Sequence, residues 1–145
     1  FWGGLCLSRR VKQERAAAIK KGQSLLQFVG LEHKMEEFAT SLPYGEQRLL
    51  EIARALAAEP EVILLDEPAA GMNPSEKLRL KELIFRIKRE MAKTIILIEH
   101  DMKVIMDISE RIIVLDHGEK IAEGKPEEIR ANPKVIEAYL GREEN

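Results

Sequence analysis

The sequence predicts an α/β fold in which a mostly parallel sheet follows a helical region. Three observations carry this. Two apolar runs, Val62-Ile63-Leu64-Leu65 and Thr94-Ile95-Ile96-Leu97-Ile98, flank one long amphipathic segment, the pattern of a βαβ unit with parallel strands. A third apolar run follows and leads into a turn with hairpin chemistry. Ahead of Ala58 the periodicity is helical and no strand is evident.

Taken in order, residues 11–29 read as a helix with Ile19, Leu25, Leu26 and Val29 as its apolar positions. Gly22 weakens its middle, so two shorter helices are an alternative, and Gly30 is a terminator. Residues 31–38 read as another short helix with Leu31, Met35 and Phe38 along one side, packed internally or facing a partner. Thr40-Ser41-Leu42-Pro43-Tyr44-Gly45-Glu46-Gln47 is a turn-rich entry to a helix ending near Ala58. Its apolar face is Leu49, Leu50, Ile52, Ala53, Leu56 and Ala57, and Pro60 stops it.

The run from Val62 suits a strand buried on both faces. Asn73-Pro74-Ser75-Glu76 has the chemistry of a helix start: a capping Asn, Pro at the first helical position, and Glu three residues after the cap. The helix should run to about Met91 with Leu80, Leu83, Ile84, Ile87 and Met91 buried. After the second strand, a helix from Met102 to Ile108 leads to a third strand from Arg111 to Leu115. Asp116-His117-Gly118-Glu119 turns it back into an antiparallel strand ending near Glu123. Short helices begin at Pro126 and Pro133, and Gly141 ends the last.

Composition bounds the function. A net charge of -2, without blocks of basic residues, gives no support to nucleic-acid binding. Cys6 is the single cysteine, which excludes an internal disulfide and a thiolate zinc cluster and suits a reducing cytoplasmic setting. The apolar runs are too short for a membrane-spanning helix. The aromatic pair Phe1-Trp2 suggests a start within a structured region of something longer.

The first strand ends in Asp66-Glu67-Pro68, and ligands of open α/β sheets sit beyond the carboxyl ends of the strands. The pair therefore reads equally as a metal-and-water site or as an ordinary solvated strand end. In a parallel sheet His100, after the second strand, would emerge on the same edge as Asp66 and Glu67. By itself it would more often be structural. His33 and His117 read as surface and turn residues, without ligand partners at short spacing.

The order of Leu42-Pro43-Tyr44-Gly45-Glu46-Gln47, the strand through Pro68, Ala69-Ala70-Gly71-Met72-Asn73-Pro74 and Glu99-His100-Asp101 resembles the ATP-binding subunit of an ABC transporter. Within that superfamily the chain, from about Val11 to Gly141, is similar to the branched-chain amino acid importers, and to the first of their two ATPase subunits. The resemblance implies a P-loop NTPase-type fold, with residues 1–58 part of a helical subdomain and residues 59–145 the C-terminal part of the ATPase core. It implies ATP and Mg²⁺ as ligands, with Asp66 at the metal through its water shell, Glu67 the general base and His100 the switch at the γ-phosphate. Leu42, Pro43, Tyr44, Gly45, Glu46 and Gln47 would form the signature turn clasping ATP held by a second subunit in a head-to-tail dimer. Gly71 and Asn73 would belong to the loop that crosses that interface.

Integral membrane permease subunits, and indirectly a periplasmic or extracellular substrate-binding protein, would be partners of a peripheral cytoplasmic protein at the inner face of the membrane. Two departures qualify the resemblance. Pro43, Tyr44 and Glu46 stand where serine, glycine and glutamine are usual, which weakens ATP clamping; Pro43 is equally a residue that favours the turn. No stretch reads G-x-x-x-x-G-K-[ST], so the resemblance is to the C-terminal part of the ATPase. The alternatives are a non-catalytic fragment or interaction module, and an ABC ATPase serving lipid or polysaccharide export.

Overall fold

The computed structural model describes residues 9–140; Phe1-Trp2, Cys6 and Gly141 lie outside them. Helix α1 (Arg9–Val29) is continuous through Gly22, so the alternative of two helices is not realised. A Cβ at Gly22 would meet no neighbour, and nothing but the intrinsic cost of glycine acts there. Only Leu25 and Val29 of α1 are buried, and Ile19 is exposed, because the helix meets α2 (Tyr44–Ala57) near its C-terminal end. Gly30, at φ 78°, ends it.

The helix expected over residues 31–38 is not formed. A single 3₁₀ turn, Glu32–Lys34, takes its place, and a second, Ala39–Ser41, precedes the turn of residues 42–47. A run this short cannot repay helix nucleation by itself. Its two ends also meet different surroundings: Leu31 is buried in the core, while Phe38 is 83% exposed.

Strand β1 (Val62–Asp66) pairs in parallel with β2 (Thr94–Ile98), Val62 against Thr94 through Asp66 against Ile98. Between them runs α3 (Pro74–Met91), started by the predicted capping box: Asn73 Oδ1 accepts from the Ser75 and Glu76 amides, and Glu76 Oε2 accepts from the Asn73 amide at 2.9 Å. Leu80, Leu83, Ile84 and Ile87 of α3 are buried, and Met91 packs at the margin. With Leu31, Ile52, Leu56, Ile63 and Leu65 they form one core joining α1, α2, β1 and α3. Arg86 fastens α3 to the end of α1, its guanidinium 4.3 Å from the centre of the Phe28 ring and Nη1 donating to the Phe28 carbonyl.

Helix α4 (Met102–Ile108) leads to the hairpin β3 (Ile112–Asp116) and β4 (Glu119–Gly124), a sheet of its own among the described residues. Its turn uses positive φ at both His117 and Gly118. Helices α5 (Pro126–Arg130) and α6 (Pro133–Leu140) cover it, with Ile112, Ala122, Ile129 and Val135 as a second, smaller core.

One expectation about β1 is corrected. The strand is buried on one face only: Ile63 and Leu65 point into the core, whereas Val62 is exposed and Leu64 is 73% exposed. Among the described residues the helices pack on a single side, so the apolar run is half used. Ile96 and Ile98 of β2 and Ile113 and Leu115 of β3 are likewise exposed. Uncovered apolar side chains on strands favour self-association. Size-exclusion chromatography of this chain is expected to show larger, concentration-dependent species; a monomer stable to dilution would contradict it.

Candidate functional site: two strand ends and a helix start

Parallel register brings the ends of β1 and β2 level. Beyond Asp66 the pairing goes one step further, the Glu67 amide donating to the Ile98 carbonyl at 2.8 Å. Glu67 itself adopts φ 43°, a left-handed conformation that costs a non-glycine residue of order 1 kcal/mol or more. That turn swings its side chain beside His100, whose Nδ1 lies 3.2 Å from Glu67 Oε1. An ionised carboxylate only accepts, so the contact selects the ring tautomer with its proton on Nδ1. The pair is open to solvent, with the His100 side chain 74% exposed. Asp66 is exposed at the same edge.

Pro68 offers no amide, and the next, Ala69 N, donates to Glu99 Oε1 at 2.9 Å. The loop then closes on itself, the Ala70 amide bonding to the Glu67 carbonyl and the Met72 amide to the Ala69 carbonyl. Gly71 has φ 71°, and Asn73 ends the loop as the cap of α3. Asp101 accepts from the Lys103 and Val104 amides to cap α4, and pairs with Lys77 of α3 at 2.7 Å.

The turn of residues 42–47 lies against this loop. A Cβ on Gly71 would come within 3.3 Å of the Tyr44 ring, and one on Gly45 within 2.5 Å of Glu76 Oε1. A side chain at position 45 would have to displace the flexible Glu76 carboxylate where the starts of α2 and α3 approach closely. Pro43 is the N-cap of α2 and supplies no side-chain bond, so the first amides of that helix have no side-chain cap. Leu42 is buried and its carbonyl receives Gln47 Nε2 at 2.8 Å. Arg48 lies over the Tyr44 ring and donates to its hydroxyl. Glu46 Oε2 is buried without a hydrogen-bond partner among the described residues.

The structure thus groups Glu67, His100 and Asp66 at one edge, and Tyr44, Gly45 and Gly71 around the neighbouring loop. No group of three or more metal-binding side chains converges among the described residues. A single exposed carboxylate such as Asp66 suits a cation that keeps most of its water, which is the habit of Mg²⁺ beside phosphates. Sequence reasoning gave Glu99 no role beyond its place in a motif, read Glu76 only as a helix cap, and did not single out Lys77. A charged residue beside a motif has no periodicity to betray it, although Glu76 was legible as a cap.

Two outcomes follow. Gly45→Ala should push the Glu76 carboxylate off the Asn73 amide and cost about 1 kcal/mol in urea unfolding, the size of a lost cap. Combining it with Glu76→Ala should cost less than the sum, since both remove one bond. The Lys77 ammonium, aided by the α4 amides, holds the Asp101 carboxyl below the usual carboxylate range. A depressed carboxyl pKa stabilises above the unfolded value of about 3.9 and loses that contribution as pH falls through the folded value. Asp101→Asn keeps the cap, so its destabilisation should be present at pH 7 and vanish towards acid pH.

Two family profiles match the sequence, the ABC transporter family over residues 6–70 and the branched-chain amino acid ATP-binding cassette transporter family over residues 119–145. The chain is 46% identical over 141 residues to the high-affinity branched-chain amino acid transport ATP-binding protein LivG of Salmonella typhimurium, covering 97% of this chain and 55% of that protein. BraF of Pseudomonas aeruginosa, a protein of the same description, is 44% identical over the same share of each. The ADP conformation of an ATP-binding cassette of an ABC transporter matches with a TM-score of 0.79 and 30% identity, covering 86% of this chain and 50% of that one. The chain spans about half the length of the curated relatives it matches. It aligns with these relatives over nearly its whole extent and shares the fold of the solved cassette, and it belongs to the ATP-binding proteins of the ABC transporter family.

Proposed function

We propose that this chain is the C-terminal part of the ATP-hydrolysing subunit of an importer for branched-chain amino acids. The observation that supports it most is the contact of Glu67 with His100 at adjacent parallel strand ends, in a chain this similar to LivG. On this reading Glu67 takes a proton from the attacking water as its oxygen approaches the γ-phosphorus. His100, donating from Nδ1 to Glu67, holds that carboxylate in place; in this tautomer Nε2 only accepts, so its link to a phosphoryl oxygen would run through a bridging water. Magnesium, when bound, supplies charge neutralisation at the phosphates, with Asp66 holding its water shell.

The turn of residues 42–47 would serve the nucleotide of a second subunit in a head-to-tail dimer. The first amides of α2 form an anion site there, and Gly45 allows close approach. Pro43 removes a hydroxyl and an amide from this clasp, and Glu46 stands in the first turn of the same helix. Residues 1–58 would belong to the helical subdomain that relays closure to membrane permeases fed by a substrate-binding protein, and residues 59–145 to the core. No described helix is long and apolar enough to cross a membrane; the place at the cytoplasmic face belongs to this reading through the likeness to LivG.

A second reading, a module without catalysis of its own, is the alternative that the experiments below distinguish. Export of another substrate has no observation in its favour. Two measurements separate the readings. In the full-length subunit Glu67→Gln should lower the ATP turnover number by roughly 10²–10⁴-fold with nucleotide binding retained; turnover at the unchanged rate would refute the catalytic role. Calorimetry of the 145-residue chain with Mg-ATP should show no saturable heat into the millimolar range. Binding lost on Asp66→Ala would mean that this chain holds a nucleotide site of its own.

A further inference from the structure

We infer that Glu99 is a positioning residue, its carboxylate joining the loop after the proposed base to the proposed switch histidine so that the two move as one unit. This rests on the catalytic reading of Glu67 and His100 above. Regular pairing of β1 with β2 ends at Asp66 and Ile98, and the Glu67 amide makes the last main-chain bond, to the Ile98 carbonyl. In a parallel ladder alternate residues donate to the same neighbour, so the donor after Glu67 is residue 69.

The Ala69 amide is the next donor, on a residue only 3% exposed, where an unpaired N–H would be costly. It finds Glu99 Oε1 at 2.9 Å, while the His100 amide approaches the other oxygen, Oε2, at 3.3 Å. One carboxylate therefore receives the first amide of the loop and the amide of the histidine. A charge-assisted bond of this kind is stronger than a neutral one. It also stands where the ladder would otherwise stop.

The far end of the same loop is held from the same segment. Asn73 closes the loop by capping α3, and Lys77, one turn further along α3, pairs with Asp101 at 2.7 Å. The Lys77 ammonium is held above its ordinary range chiefly by Asp101, with Glu99 contributing in the same sense, so both acids act around it. Residues 99 and 101 thus grip the start and the end of the loop, with His100 between them. Neither side chain touches Glu67; each acts by fixing the backbone that carries it or its partner.

Glutamine at position 99 could still accept from the Ala69 amide, but its NH₂ group would face the His100 amide, donor against donor. In the full-length subunit, Glu99→Ala is expected to lower kcat roughly ten- to a hundredfold, the scale of a misplaced reacting group, with the KM for ATP nearly unchanged. Glu99→Gln should recover most of that loss. Hydrogen exchange at the Ala69 amide should quicken in the alanine variant and stay slow in the glutamine variant. A kcat for Glu99→Ala equal to that of the parent overturns the inference, as does a fall matched by the fraction of unfolded protein. If Glu99→Ala does not fold, a Glu99→Gln variant with exchange and turnover as poor as that of a Glu67 variant overturns it. Absence of Glu67-dependent hydrolysis in the parent overturns the catalytic reading, and this inference with it; dependence on Glu67 but not on Glu99 overturns this inference alone.

Discussion

The arrangement depends on the parallel register of β1 and β2. Because Asp66 is level with Ile98, the residues just past each strand emerge side by side, 33 positions apart in the chain and within hydrogen-bond reach. A slip of one residue would send every side chain of a strand to its opposite face and separate Glu67 from His100. Register is held by the burial of Ile63 and Leu65 against α3, and α3 is fixed by Leu80, Leu83, Ile84 and Ile87 in the same core. Packing energy spent there is what sustains the left-handed turn at Glu67, which is unfavourable when considered by itself.

Polar contacts then refine what the core has placed. The Lys77–Asp101 and Lys81–Asp107 pairs bridge α3 to α4, and the Glu99 carboxylate bridges the two strand ends. Exposed ion pairs contribute little to stability, so their value here is geometric. They limit how α3, the loop before it and the segment from residue 99 can shift relative to one another. A ligand shifts a conformation only through contacts that differ between states, and coupled parts such as these would pass on a shift at one of them.

The region of residues 42–47 illustrates how packing constrains a binding turn from behind. Tyr44 lies against Gly71 and under Arg48, and Gly45 lies against Glu76, so the turn of residues 42–47 and the loop after β1 share a boundary within one chain. Glycine at 45 suits this contact as well as any need to approach a phosphate. The opposite, exposed face of the strands is the counterpart: Leu64 and Ile98 carry hydrophobicity that nothing in the described residues covers.

Local chemistry was sufficient for much of this. The capping box at Asn73 and Glu76, the stop at Gly30, the turn at Gly118 and the 3.6-residue spacing of α2 and α3 are encoded within a few residues of where they act. The order of the motifs was sufficient for the family. Other features depend on partners distant in the chain and could not be read locally. Residues 31–38 carry helical spacing but form only a turn, because Leu31 is drawn into a core built by other segments while Phe38 is left outside. The run Val62-Ile63-Leu64-Leu65 is apolar throughout, yet only tertiary packing decides that one face is covered and the other is not. Glu99 is one charged residue among many in the sequence; its meaning arises when the fold brings the amide of Ala69, thirty residues earlier, to its carboxylate.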